Sequence, residues 1–133
     1  MNILALDYGK KRIGVAIGNS NNGIAFSRPF IFNNKMALAQ IIQLCQQENI
    51  STIVLGLPVM LDGYENEETE VVKIFAKELK KKTDLNIEFL EEHFTTVLAQ
   101  RRLNDGICKA GRKKEKIDSG SAQILLEEFF KCL

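Results

Sequence analysis

Histidine and cysteine are scarce in this chain. There is one histidine, His93, and the three cysteines, Cys45, Cys108 and Cys132, lie far apart with no CxxC pair. One histidine is too few for the usual structural zinc sets, and an odd, scattered trio of cysteines makes no disulfide framework. The cysteines therefore read as free thiols in a reducing compartment, with Cys45 of IIQLCQQ a small core residue. Long hydrophobic runs are missing too: nothing approaches the ~20 apolar residues that span a bilayer. The start, MNILALDYGK, enters a strand-like run directly, with no basic leader or cleavage site. A charge imbalance is also absent. The formal net charge is +1, so any basic surface must come from local clustering. These absences predict a soluble cytoplasmic protein with no membrane partner.

What is present is an ordinary globular balance, 45% hydrophobic and 26% charged over 133 residues. That length suits one domain, 1–133, with a core that needs no staples. NILALD is a continuous apolar run ended by a carboxylate, the pattern of a central strand covered on both faces. YGKK makes a turn into RIGVAIG, an antiparallel partner. GIAFSRPFIF supplies a third strand, in which Pro29 implies an edge or a bulge. KMALAQIIQLCQQEN carries Leu38, Ile41, Ile42 and Cys45 at helical spacing. STIVLGLP is a β-branched strand ended by Gly56 and Pro58.

NEETEVVKIFAKELKKK is the clearest helix, with acids in its first turns and lysines in its last, as the macrodipole favours. Val71, Val72, Phe75, Ala76 and Leu79 form its expected buried stripe. NIEFLEE is the fifth strand, TTVLAQRRLND a helix, and KIDSGSAQILLEEFFKCL the last helix. The order β-β-β-α-β-α-β-α-α predicts an α/β fold, a mixed five-stranded sheet flanked by helices.

Open α/β sheets place their sites at the carboxyl ends of parallel strands. Asp7 ends the first strand, and Glu91 and Glu92 end the fifth. Asp118 lies four residues before Ala122, on the face that also carries Leu125, Leu126 and Phe129. Each acid has an ordinary alternative: a turn former at Asp7, solvated or arginine-paired glutamates, a helix cap at Asp118. Three elements offering carboxylates to one rim instead suggest a hard divalent cation, Mg²⁺ or Mn²⁺. GKKR, with Lys11 and Arg12, follows Asp7, and GRKKEK, with Arg112, Lys113 and Lys114, precedes Asp118. Both basic loops could neutralise phosphates beside the acids, although charge runs are also common on solvated loops. Glu91 is a further candidate acid; His93 could act as an acid or base near the cations, but one unaccompanied histidine is more often incidental, and it is not counted in the site.

The stretches LALDYGKKRIGVAIG, IVLGLPVMLDG, LEEHFTTVLAQRRL and KIDSGSAQILLEEFF, in this order and spacing, resemble the YqgF family. That family comprises RNase H-like proteins described as Holliday-junction resolvase-like or pre-16S rRNA nucleases. The resemblance implies an RNase H-like fold and matches Asp7, Glu92 and Asp118 to the family's catalytic, metal-binding acids. It matches Gly9, Gly56 and Pro58 to backbone-shaping positions, and Thr95 and Thr96 to the threonines after the family's D-E-R. That D-E-R reads Glu91-Glu92-His93 here, which leaves Lys113 or Lys114 to take over the arginine's phosphate contact. Asn19 stands where the family often has aspartate, and Gly120 should weaken the first turn of the last helix.

The expected activity is that of a divalent-metal-dependent endonuclease. Its substrate would be structured RNA, as the resemblance implies the 5′ end of pre-16S rRNA on the pre-ribosomal small subunit. Water would attack the scissile phosphate in line while Lys11, Arg12 and Arg112–Lys114 hold the backbone. One rival is a resolvase of four-way DNA junctions, which needs two sites and hence a symmetric dimer; the expectation here is a monomer or weak dimer. A second is an ATPase, since LALDYGKKRIGVAI also resembles the phosphate-binding hairpin of actin-like and sugar-kinase proteins. Those need a second domain. A third is a non-catalytic nucleic-acid-binding or ribosome-assembly module.

Overall fold

A computed structural model describes residues 1–60, 66–94 and 117–133. Its strands are β1 (Asn2–Asp7), β2 (Arg12–Asn19), β3 (Ile24–Phe32), β4 (Ile50–Met60) and β5 (Asn86–Phe94). Its helices are α1 (Ala37–Gln47), α2 (Glu67–Lys82) and α3 (Ile117–Lys131). The expected helix TTVLAQRRLND lies outside the described residues.

One sheet runs β3-β2-β1-β4-β5. The short turn after Asp7 makes β1 and β2 antiparallel, and β3 continues the meander. The crossover helices α1 and α2 make β4 parallel to β1, and β5 parallel to β4. The carboxyl ends of β1, β4 and β5 therefore share one rim.

The sheet is covered on both faces, as the unbroken apolar run of β1 predicts. Leu4 and Leu6 of β1 join Val15, Ile41, Ile53, Leu55, Phe75 and Leu79 under α1 and α2. Ile3 and Ala5 turn the other way, with Ala16, Ala25 and Val54, and meet Ala122, Leu125, Leu126 and Phe129 of α3. This second face is built of small residues, which lets α3 come close. At Gly18 an added Cβ would stand 2.5 Å from the Ile24 carbonyl oxygen and 2.9 Å from the Phe130 ring.

Pro29 fulfils both of its expectations. β3 is an edge strand, and its register slips where Ile31 faces Ile13 but Arg28 faces Val15. Pro29 and Phe30 thus oppose Gly14 alone, a two-for-one bulge. α1 ends where Asn49 turns to φ 53°, a conformation asparagine tolerates.

Three expectations need correction. Pro58 does not end β4, which runs on to Met60. The β1–β4 ladder stops at the Leu6–Leu55 pair, so beyond it β4 has an open side where a missing N–H costs no ladder bond. Glu91 and Glu92 do not end β5, because pairing continues through His93 and Phe94 opposite Val59 and Met60. Val71 is 43% exposed. The buried stripe of α2 is instead Thr69, Val72, Phe75, Ala76 and Leu79.

Candidate functional site

Asp7 is half-buried at the last position of β1. Its cross-strand partner on β2 is Gly14, and one step beyond the Leu6–Leu55 pair on β4 stands Gly56. The positions level with it on the two neighbouring strands are thus both glycines. Alternation puts Asp7 on the α3 side of the sheet, with Ile3 and Ala5.

The paired glutamates are separated by the same rule. Position 91 faces Leu57, whose side chain packs towards α2 with Val72 and Tyr8. Position 92, opposite Pro58, shares its parity with Leu90, which packs on the α3 side. Adjacent strand positions alternate between the two faces of the sheet. Asp118 is the second residue of α3, four before the buried Ala122. Positions 7, 92 and 118 thus share a side of the sheet by strand parity and helical spacing. Among the described residues no group of three or more His, Cys, Asp or Glu is arranged to hold a metal. The side chains of Glu92 and Asp118 are not among those described.

The turn after Asp7 is held from several directions. Tyr8 packs its ring on Phe75 of α2, centroids 4.8 Å apart. Gly9 lies so close to the Arg12 carbonyl that any Cβ would collide with it, which makes it the backbone-shaping glycine expected. Asn33 closes the turn: its Nδ2 donates to the Gly9 carbonyl at 2.7 Å, and its backbone N–H donates to the Lys11 carbonyl at 2.8 Å. The sequence reading missed Asn33; the one local signal is an Asn-Asn pair just after β3.

Lys10, Lys11 and Arg12 are exposed. With Pro58, Glu68 and Val71 they line a cleft of about 430 Å³ between the turn and the start of α2. This basic turn caps the same rim as Asp7. The Arg12 guanidinium carbon sits 5.3 Å from the centroid of the Phe30 ring, a cation–π contact. Arg112, Lys113 and Lys114, like Thr95 and Thr96, lie outside the described residues.

Asn19 has no part in the rim. It pairs with Asn2 at the opposite end of β1, and its Nδ2 donates to Asn2 Oδ1 at 2.8 Å. No helix among the described residues is long and apolar enough to cross a membrane. Cys45 is buried, which pushes its thiol pKa up to about 11, as a core residue rather than a nucleophile requires.

A family model described as "RuvX: Holliday junction resolvase" matches residues 1–132. A protein of Sulfurihydrogenibium named "Putative pre-16S rRNA nuclease" is 40% identical over 129 residues, covering 96% of this chain and 88% of its own. A protein of the same name from Dictyoglomus turgidum is 34% identical over 135 residues, covering 100% and 96%. Among solved structures, the fowlpox virus Holliday junction resolvase aligns with a TM-score of 0.57 at 12% identity, over 98% of this chain and 96% of that one. That likeness shows the fold: the five-stranded mixed sheet is RNase H-like, as expected.

Proposed function

As this chain belongs to the RuvX family of nucleases, we propose that it is a divalent-metal-dependent endonuclease that cuts structured RNA, at the 5′ end of pre-16S rRNA. The hydrolytic class comes with the family. The RNA substrate draws on the names of relatives such as those 40% and 34% identical to it.

The observation that carries the metal-dependent reading is Asp7, a half-buried carboxylate at the carboxyl rim of a parallel sheet, flanked by Gly14 and Gly56. Glu92 and Asp118 are the other two acids of the proposed set, on the same side by their backbone positions. Such an all-oxygen donor set suits Mg²⁺ or Mn²⁺ better than a soft ion. A cation bound there would supply charge stabilisation at the scissile phosphate and at the attacking and leaving oxygens. Lys11 would neutralise flanking phosphates from the turn that Asn33 and Tyr8 hold in place, and Arg12 would do so while stacked on Phe30. Arg112, Lys113 and Lys114 would serve the same end from the basic stretch that precedes α3 in the sequence.

The description of the matching family favours a second reading, a resolvase of four-way DNA junctions. Both are tested together. Labelled precursor RNA and a four-way DNA junction are incubated with Mn²⁺, Mg²⁺ or EDTA, beside an Asp7→Asn protein of matched melting temperature. We expect metal-dependent RNA cutting that drops by about a hundredfold or more in the variant. Cutting that survives Asp7→Asn or EDTA overturns this site. Preferential junction cutting transfers it to the resolvase, and binding with no cutting makes the chain a binding module.

A further inference from the structure

The carboxyl rim carries an aromatic patch whose outer ring, Phe32, takes no part in the proposed phosphate contacts. Phe30 and Phe32 end β3 with their rings edge to face, centroids 5.1 Å apart. Phe32 is 62% exposed, although covering a phenylalanine is worth about 1.5–3 kcal/mol. Phe30 is the ring over which Arg12 lies. A ring backed by a second ring, which a guanidinium in turn covers, is fixed in place while its free surface stays open.

The register puts this patch beside Asp7. Arg12 faces Phe32 and Gly14 faces Asp7, so the patch lies two residues along β2 from the acid's partner. Residues directly opposite in an antiparallel pair share a sheet face. Arg12 and Gly14 share the parity of Ala16, which packs towards α3. Phe32 and Asp7 are therefore on the same side of the sheet. Two strand spacings across and two residues along separate their backbones by about 12 Å. That is a span of a few nucleotides, at ~3.4 Å rise per nucleotide of a duplex strand.

The neighbouring charges select the occupant. Lys10, Lys11 and Arg12 border the patch on the turn, and a surface that offers both cations and an open aromatic ring suits a polyanion that also carries flat apolar faces. A nucleic acid does. In a paired helix those faces are stacked away, so only an unpaired or splayed base can reach the ring. We propose that Phe32, backed by Phe30 and Arg12, is a stacking platform for an unpaired base of the RNA, a few nucleotides from the phosphate at Asp7. The proposal rests on the nucleic-acid reading above and makes the protein selective for RNA with an unpaired segment beside the cut.

The test uses full-length Asp7→Asn protein in EDTA, so that binding is read without cleavage. One probe is an RNA hairpin with an unpaired 5′ tail containing 2-aminopurine; the other is the same hairpin without the tail. We expect Phe32→Ala to weaken binding of the tailed hairpin by about tenfold and to abolish quenching of the 2-aminopurine. Binding of the untailed hairpin should change by less than about twofold, and Phe32→Tyr, which keeps the ring, should restore both signals. Equal loss on the two RNAs, unchanged quenching, or no loss at all would overturn the platform. So would a Phe32→Ala protein with an altered sedimentation coefficient, which would assign the patch to a second copy of the chain. Failure of the parent protein to bind either RNA would remove both the platform and the RNA reading. Ring-dependent quenching with no metal-dependent cutting by the unsubstituted protein would remove the nuclease reading alone.

Discussion

Single residues decide whether the rim can work. The place of Asp7 at the end of β1 was legible, because the apolar run NILALD stops at it. Asn33 was not, because its acceptor is on Gly9, 24 residues earlier, and nothing local in FNNK announces it. Asn33→Ala leaves the Gly9 carbonyl without its side-chain donor. We expect a stability loss of about 1 kcal/mol in urea titrations, with RNA affinity falling by a larger factor than that loss accounts for. Cys45 makes a second residue-level prediction. In a Cys108→Ser background a thiol reagent at neutral pH should label exposed Cys132 quickly and Cys45 only on unfolding. Burial raises the Cys45 pKa from 9.0 to about 11, so the unfolded chain loses this proton first as pH rises. Its contribution to stability is complete below about pH 8 and falls between 9 and 11, by at most about 1.4 kcal/mol per pH unit. Denaturation midpoints across that range, compared with Cys45→Ala, isolate the effect.

At the scale of elements, α2 shows what periodicity sees and what it misses. Its charge gradient along the helix was readable, and so were four of its five buried positions. The fifth is Thr69, a polar residue that no apolar count selects. Its backbone N–H donates to Asn66 Oδ1 at 3.0 Å, its Oγ1 accepts from the Asn66 N–H at 3.1 Å, and the same hydroxyl donates to the Pro58 carbonyl. The capping box therefore fastens the helix start to β4 at the rim. Asn66→Ala should cost about 1 kcal/mol, whereas Thr69→Val, which removes the buried hydroxyl that donates to the Pro58 carbonyl, should cost about 1–3 kcal/mol. A reversed order in urea titrations would mean that the contact with Pro58 adds nothing. Val71 was misassigned because it neighbours the stripe in sequence; on the helix it faces the cleft instead. The two strand ends were misjudged for a related reason. A proline or paired glutamates stop a strand only when a neighbour needs their N–H or crowds their charges, and neither condition is local. Gly18→Ala should also be destabilising, by about 1–3 kcal/mol, since the Phe130 ring leaves no room for a methyl.

For the molecule as a whole, the parallel core β1-β4-β5 followed from the crossover helices, and with it the common rim. Which helix covers which face could have been read from the small residues Ala5, Ala16, Gly18 and Ala25, a pattern that appears only once the strands are in register. The rim's cations predict how binding responds to salt. Replacing Lys10 and Lys11 by alanine should weaken RNA binding and flatten its dependence on log[salt] by about 1.4–1.8 units, whatever the RNA sequence. An unchanged slope would mean that the turn touches no phosphate. The bulge in β3 has a consequence of another kind. An outermost strand is a template on which further copies can stack, ladder upon ladder, into insoluble sheets. Pro29 withholds a donor halfway along this one, and the extra residue twists the line of carbonyls out of step. A strand arriving from another molecule would lose its pairing partway along. Pro29→Val should leave the fold intact yet shorten the time to turbidity on prolonged warming, which would make this proline a guard on solubility.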